Sequence, residues 1–190
     1  MSIESRDGSA LEWSEQVARA DGYVLVTPEH NHGYPAPLKN ALDHLFSEWN
    51  RKPVGFVSYG AATGGLRPVE QLRQVAIELE MARVRRHVAI PRVWEALDGS
   101  GAPRDPQLAE QAHALLDEMA WWATALRGAR QAVGSGGWKR SSPLAESPAN
   151  RFVAIVNVVG SPSCALTAVS VRLGATLPDR FTAASAPVVE

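Results

Sequence analysis

Between Thr27 and Gly33 the chain reads Thr-Pro-Glu-His-Asn-His-Gly, which puts a carboxylate, an amide and two imidazoles into four successive positions. Such groups can bind a polar ligand, carry a proton or, for imidazole, ligate a metal. Metal ligands must converge on one point. A histidine pair at i and i+2 on a loop, with His44 a helix-length away, does not supply that convergence, so no metal is expected. Nucleophilic chemistry has no better support, because Ser58 lacks a strand-to-helix elbow motif and Cys164 has no histidine paired with it. The other chemically suggestive stretch is Ser58-Tyr59-Gly60-Ala61-Ala62-Thr63-Gly64-Gly65. Its glycines allow backbone to come close to a flat ligand and to turn amides toward it, or they simply form a turn into a helix.

Both stretches follow a buried strand pattern and precede a helix pattern. Tyr23 to Val26 is a short continuous apolar run, and Leu38, Ala41, Leu42, Leu45 and Phe46 then recur at helical spacing up to about Trp49-Asn50. Pro53 to Ser58 is a second such strand, followed by a stripe of Leu66, Val69, Leu72, Val75, Ala76 and Leu79. A third strand, Val84 to Ile90, stops at Pro91, and a long helix is expected from about Asp105 to Arg127 with Gly128 as its stop. Upstream, Ser9 and Glu12 have the spacing of a capping box for a short helix ending at Ala20. Alternating strands and helices predict an α/β fold with a parallel sheet and helices on both faces. In such folds ligands sit at the carboxyl edge of the strands, where both loops emerge.

Composition excludes several function classes. A net charge of −1, with no basic block, gives no electrostatic reason for nucleic acid or an anionic membrane as partner. With a single cysteine the fold stands on packing without an internal disulfide, and a cytoplasmic setting is expected. No apolar run approaches the roughly 20 residues of a membrane span.

Two ordered motifs carry a family resemblance. Thr27 to Pro35 followed by Leu38-Lys39-Asn40-Ala41-Leu42-Asp43, and Lys52 to Gly60 followed by Gly64-Gly65-Leu66-Arg67 and Glu70-Gln71-Leu72-Arg73, resemble the NADPH-dependent FMN reductase family of flavodoxin-like proteins, which includes azoreductase-like and quinone or chromate reductase-like enzymes. The likeness runs from about Leu11 to Arg127. It implies a flavodoxin-like three-layer sandwich, FMN as cofactor, NADPH or NADH as hydride donor and a quinone, azo compound, flavin or similar small molecule as acceptor. Residue by residue, it selects Pro28, Glu29, His30 and Asn31 beside the isoalloxazine and ribityl portions, and Ser58, Tyr59, Gly60, Gly64 and Gly65 beside the pyrimidine side. His30 stands where tyrosine is usual in the family. No side chain is required as acid or base, since the chemistry belongs to flavin N5. A homodimer or homotetramer is also implied.

The sequence departs from the family at its start. The usual strand, Gly-Ser-x-Arg-x-x-Ser phosphate loop, helix and second strand do not precede Ala10. Three parts are expected: an incomplete reductase core over 1–130, a Gly/Ser/Pro-rich linker over 131–151 and a C-terminal segment over 152–190. Phe152 to Val159, then Gly160-Ser161-Pro162-Ser163 and a helix-capable run from Ala165 to Leu173, has the form of the absent strand, phosphate loop and helix. Pro187 to Val189 would be a remnant of the second strand. On that reading the chain is a circular permutant in which Ser161 and Ser163 bind the FMN phosphate. The alternatives are an accessory or disordered tail on a fragment of a reductase, or completion of the sheet by another chain; the alternative for function is a truncated non-catalytic flavodoxin-like remnant or interaction domain without bound flavin.

Overall fold

β1 (Gly22–Pro28) is buried along nearly its whole length, so both of its faces must be covered. The computed structural model, which describes residues 8–100, 102–133, 151–157, 166–172 and 185–188, shows how. The elements in chain order are α1 (Gly8–Arg19), β1, α2 (Ala36–Asp43), β2 (Pro53–Tyr59), α3 (Leu66–Glu78), β3 (Ala82–Ile90), α4 (Val93–Ala96), α5 (Pro106–Val133), β4 (Arg151–Asn157), β5 (Leu166–Arg172) and β6 (Ser185–Val188). Tyr23 and Leu25 point to one side, where Val54, Phe56 and Ile155 join Trp13, Val17, Leu38, Leu42, Val69 and Leu72 from α1, α2 and α3. Val24 points to the other, where Val84, Val88 and Phe152 meet Leu115, Met119 and Ala123 of α5. The result is the expected flavodoxin-like arrangement of helices on both faces of a sheet.

The sheet order is β3-β2-β1-β4-β5-β6, with β3, β2, β1 and β4 mutually parallel. β4 runs beside β1 from Gly22↔Phe152 to Val26↔Val156. In the strand order 2-1-3-4-5 this is the place of the first strand, filled here by a segment from the far end of the chain. Beyond β4 the chain departs from expectation. Leu166–Arg172 is a strand rather than a helix, antiparallel to β4 from Arg151↔Arg172 to Asn157↔Leu166. The β-branched Thr167, Val169 and Val171 alternate along it, a pattern that favours an extended chain. β5 therefore takes the place of the second strand, and Ser185–Val188 pairs antiparallel outside it instead of filling that place.

Three helix limits also differ. α1 starts at Gly8, so Ser9 lies within the helix and is not its cap. α2 stops at Asp43 because the chain must turn Trp49 back into the core, where its indole N–H donates to the Leu42 carbonyl at 3.0 Å. α5 runs through Gly128 to Val133, which makes 131–133 helical, and residues 134–150 of the expected linker lie outside the described residues. Gly128 costs about 1 kcal/mol relative to alanine in a helix. The contacts of the last turn offset this: Arg130 reaches the Asp21 carboxylate at 3.3 Å and the Arg51 carbonyl at 2.6 Å, and Arg127 reaches Asp21 at 3.5 Å.

Asp21 also fixes β4. Its backbone N–H donates to the Arg151 carbonyl at 2.7 Å, and its carboxylate accepts the Arg151 N–H at 3.1 Å. The end of α5 and the start of β4 thus meet at one carboxylate, on the amino edge of the sheet. Nearby, Lys52 is buried and its Nζ donates to the carbonyls of Val17 and Ala18 at 2.9 and 3.0 Å, capping the end of α1. Burial, and then the charge of Arg130, push the Lys52 pKa down to about 7 against the pull of Asp21 and Glu48.

Lys52 makes stability depend on pH with a definite sign. Between pH 7 and the ordinary lysine value of about 10.4, the unfolded chain holds a proton that the folded protein has released, so stability rises with pH across this window. Urea unfolding is expected to show Lys52→Met less stable than wild type by about 1–3 kcal/mol at pH 9, the cost of two unsatisfied carbonyls. The gap is expected to narrow at pH 6, where the wild type carries the buried charge.

Candidate functional site

The loop after β1 is a two-residue turn. His30 and Gly33 exchange backbone hydrogen bonds of 2.9 and 2.8 Å, with Asn31 and His32 at φ 47° and 68° between them. Two successive left-handed residues make a turn of type I′, and asparagine is among the side chains that tolerate that region best. The turn leaves His30, Asn31 and His32 exposed at the carboxyl edge, while Pro28 and Pro35 on either side are buried. α3 steadies the tip, since Gln71 Nε2 donates to the His32 carbonyl at 3.1 Å.

The loop after β2 is built around two left-handed glycines. Gly64 and Gly65 have φ of 62° and 79°, and a Cβ on either would come within about 2.9 Å of backbone or side-chain atoms of Ile90–Pro91 or Ser58–Tyr59. A side chain at either position is excluded by both strain and space. Gly60 is different: a Cβ there would meet Gly65 and Glu29 only at 3.4 and 3.6 Å, and its N–H donates to the Ile90 carbonyl at 3.2 Å. Ser58 is fully buried, and its hydroxyl donates to the Gly64 carbonyl at 2.7 Å. Ser58 is therefore a brace of the loop. Gly65 is the N-cap of α3, and no side chain caps it. The first turn of this 13-residue helix so presents backbone N–H donors and the positive end of its dipole at the same edge.

Glu29 ties the two loops together. Its N–H donates to the Tyr59 carbonyl at 3.1 Å, one carboxylate oxygen accepts from Thr63 Oγ1 at 3.0 Å, and the other pairs with Arg67. Burial works to raise the Glu29 pKa, but the hydrogen bonds from Arg67 and Thr63 outweigh it and hold the carboxyl below its usual value. In this geometry Glu29 is a strut between the two loops. Pro28, Glu29, Ser58, Tyr59, Gly60, Gly64 and Gly65 are brought together, and His30 and Asn31 stand at the exposed tip. Ser161 and Ser163 lie outside the described residues, but Asn157 and Leu166, which bracket them, pair at this same edge.

Trp49, which follows α2, is fully buried between Trp13 and Tyr23 at centroid distances of 5.8 and 4.8 Å and takes no part in the site. Sequence reasoning does not single out Thr63, in the glycine-rich stretch, or Arg67, in the second motif; only the fold shows that they face Glu29. A concavity of about 880 Å³ lies along β3 between α3 and α5. There the pairing steps from Val54↔Arg83 to Phe56↔His87, leaving a bulge. Arg73 donates to the carbonyls of Val84 and Arg85, and Glu118 accepts the N–H groups of Arg85 and Arg86. Two of its charged side chains are thus committed to closing an edge strand. Among the described residues no group of three or more His, Cys, Asp or Glu could hold a metal, and no helix is long and apolar enough to cross a membrane.

Residues 2–95 match the family model of the NADPH-dependent FMN reductases. Over this stretch the chain belongs to that family. An NAD(P)H-dependent FMN reductase of Schizosaccharomyces pombe is 49% identical over 82 residues, which cover 42% of this chain and 40% of that protein. A counterpart from Saccharomyces cerevisiae is 46% identical over 78 residues, again 40% of its length. A probable NADPH:quinone oxidoreductase of rice is 32% identical over 124 residues, covering 60% of this chain and 63% of the rice protein. The chain thus spans well under two thirds of these FMN reductases. Among solved structures, the flavoenzyme FerB of Paracoccus denitrificans superposes with a TM-score of 0.55 at 21% identity, over 64% of this chain and 70% of that one, which shows the shared fold.

Family residues fit a flavin at this edge on one structural ground: the uncapped, glycine-held start of α3 offers N–H donors suited to the pyrimidine carbonyls of an isoalloxazine. The Glu29 strut is testable without any ligand. In Glu29→Gln, which removes the charge paired with Arg67, hydrogen exchange is expected to accelerate several-fold in 29–33 and 60–65 at pH 7 and to stay unchanged around Asp21. Because the Glu29 pKa is depressed, wild type and variant are expected to converge as the pH falls through it, below the ordinary glutamate value of about 4.3.

Proposed function

We propose that the chain is an FMN-dependent NAD(P)H oxidoreductase that passes a hydride to a quinone or another small planar acceptor, such as an azo compound or a flavin. One observation carries the reading: two loops from neighbouring parallel strands are locked together by Glu29, Thr63 and Arg67 beside the uncapped start of α3. FMN, when bound, supplies the hydride-accepting and hydride-donating centre. The chain's own residues then bind and orient. Pro28, His30 and Asn31 would line one side of the ring, and Tyr59 and Gly60 with the backbone up to Gly65 the other. The N–H donors of α3 favour the negative charge that a flavin's pyrimidine gains on reduction, which is where preorganised dipoles act best. No side chain of the two loops needs to move a proton. Ser161 and Ser163, between the paired ends Asn157 and Leu166, are the proposed phosphate ligands. The relatives' names support NADPH or NADH as donor and quinones as acceptors. A cytoplasmic homodimer or homotetramer completes the proposal.

One observation favours a flavin-free domain instead. Among the described residues β4 is followed by the antiparallel strand β5, where the family's phosphate loop feeds a helix. Titration with FMN separates the readings. The enzyme is expected to take up FMN stoichiometrically and then to oxidise NADPH in a quinone-dependent manner, and the double change of Ser161 and Ser163 to alanine is expected to raise the FMN dissociation constant about tenfold. A wild type that neither binds FMN nor turns over with it would leave the flavin-free reading standing.

A further inference from the structure

α4 and its flanking turns, 92–104, form a small lobe at the carboxyl end of β3 that is cross-linked to itself and to the glycine loop. Within it, Asp98 accepts N–H bonds from Ser100 and Ala102 at 2.8 and 2.9 Å, and Arg104 donates its N–H to the Ala96 carbonyl at 2.9 Å. Toward the site, the Arg92 N–H donates to the Ala61 carbonyl at 2.8 Å and the Val93 N–H to the Gly60 carbonyl at 3.3 Å. Arg92 adopts φ 42°, a left-handed conformation that a side chain larger than asparagine takes only under constraint. The first residue beyond these two anchors is Trp94, and it is 65% exposed. Its indole N–H is spent on Glu95 at 3.2 Å, and the other Glu95 oxygen holds Arg92 Nε at 2.9 Å. The polar edge of the ring is thereby fixed. Among the described residues no aromatic ring stacks on it.

We propose that Trp94 is the stacking platform for the planar ring that meets the flavin, which makes it a specificity residue of the site. This inference rests on the flavin-site reading. A tryptophan face is electron-rich and recognises flat, electron-poor rings by offset stacking and by burying a large apolar area. Two reactants bring a flat ring to such a face, the electron-poor quinone acceptor and the dihydronicotinamide of NAD(P)H, which offers apolar area, and the two half-reactions tell them apart. The lobe's backbone anchors on Gly60 and Ala61 keep this platform in step with the loop proposed to hold the cofactor, so the ring and the flavin edge move as one unit.

The test compares wild type, Trp94→Phe and Trp94→Ala, each loaded with FMN. Three measurements are made: the FMN dissociation constant, the KM for NADPH and for 1,4-naphthoquinone at saturating partner, and quenching of tryptophan fluorescence by naphthoquinone. The expected result is an unchanged FMN dissociation constant, with KM for one of the two planar reactants raised about five-fold in the alanine variant and largely restored in the phenylalanine variant. If the quinone is that reactant, the saturable quenching it causes in wild type is expected to fall in both variants by the share of Trp94 among the six tryptophans; if NADPH is, its KM alone moves. Unchanged KM values in FMN-loaded variants would overturn the platform and leave the oxidoreductase reading intact. So would a change in oligomer size by sedimentation with KM unaltered, which would make Trp94 a subunit contact. A wild type that takes up no FMN overturns the oxidoreductase reading first and this inference with it.

Discussion

A buried parallel strand cannot leave its second edge bare, because each unpaired N–H and C=O there would be taken from water without a partner. β1 meets that demand on one side with β2 and on the other with β4, more than a hundred residues further along the chain. The rest of the molecule depends on this pairing. β4 gives β1 a fixed place in the middle of the sheet, the two cores form on its two faces, and the loops after β1 and β2 leave the sheet side by side. Asp21 sets the register by bonding Arg151 through both its backbone and its carboxylate, and the same carboxylate receives the arginines that end α5.

The opposite ends of the sheet have different characters. At the amino edge, polar groups are buried and satisfied by helix ends: Lys52 caps α1, while the indoles of Trp13 and Trp49 donate to the Ala41 and Leu42 carbonyls late in α2. That edge is closed. At the carboxyl edge the polar groups of the loop tips and the start of α3 stay open, and the charge cluster of Glu29 with Thr63 and Arg67 serves to join the loops. A site that must accept a flat ring benefits from this division, since rigid loops with unspent backbone donors need no rearrangement when charge develops. The carboxylate of Glu29 is neutralised by Arg67, so in the proposed site it would not oppose the charge of a reduced flavin.

Most of the fold is legible from periodicity. The strands at Tyr23 and Pro53 and the stripes through Leu38 and Leu66 reflect burial on one face or on both, a local property of sequence. The elements that depart from expectation are those decided by distant contacts. Gly128 reads as a helix stop, yet α5 continues because Arg130 has partners at Asp21 and Arg51. Trp49 reads as the end of a helix near the ligand, yet its indole is needed by the Leu42 carbonyl inside the core. Ala165 to Leu173 has an apolar pattern short enough to serve either state, and pairing with β4 settles it as a strand. For the site, the motif points to the two loops, but the function of Glu29 depends on Arg67, 38 positions away, which no local pattern reveals.

The central claim is that a flavin sits on the carboxyl edge between the β1 and β2 loops. The most direct measurement is a titration of the isotope-labelled protein with FMN followed by amide NMR. The account predicts shifts concentrated in His30 to Gly33 and Ala61 to Leu66, with Asp21 and Lys52 unmoved. No shifts at saturating FMN, or shifts confined to the cleft around Arg85 and Gln111, would contradict it.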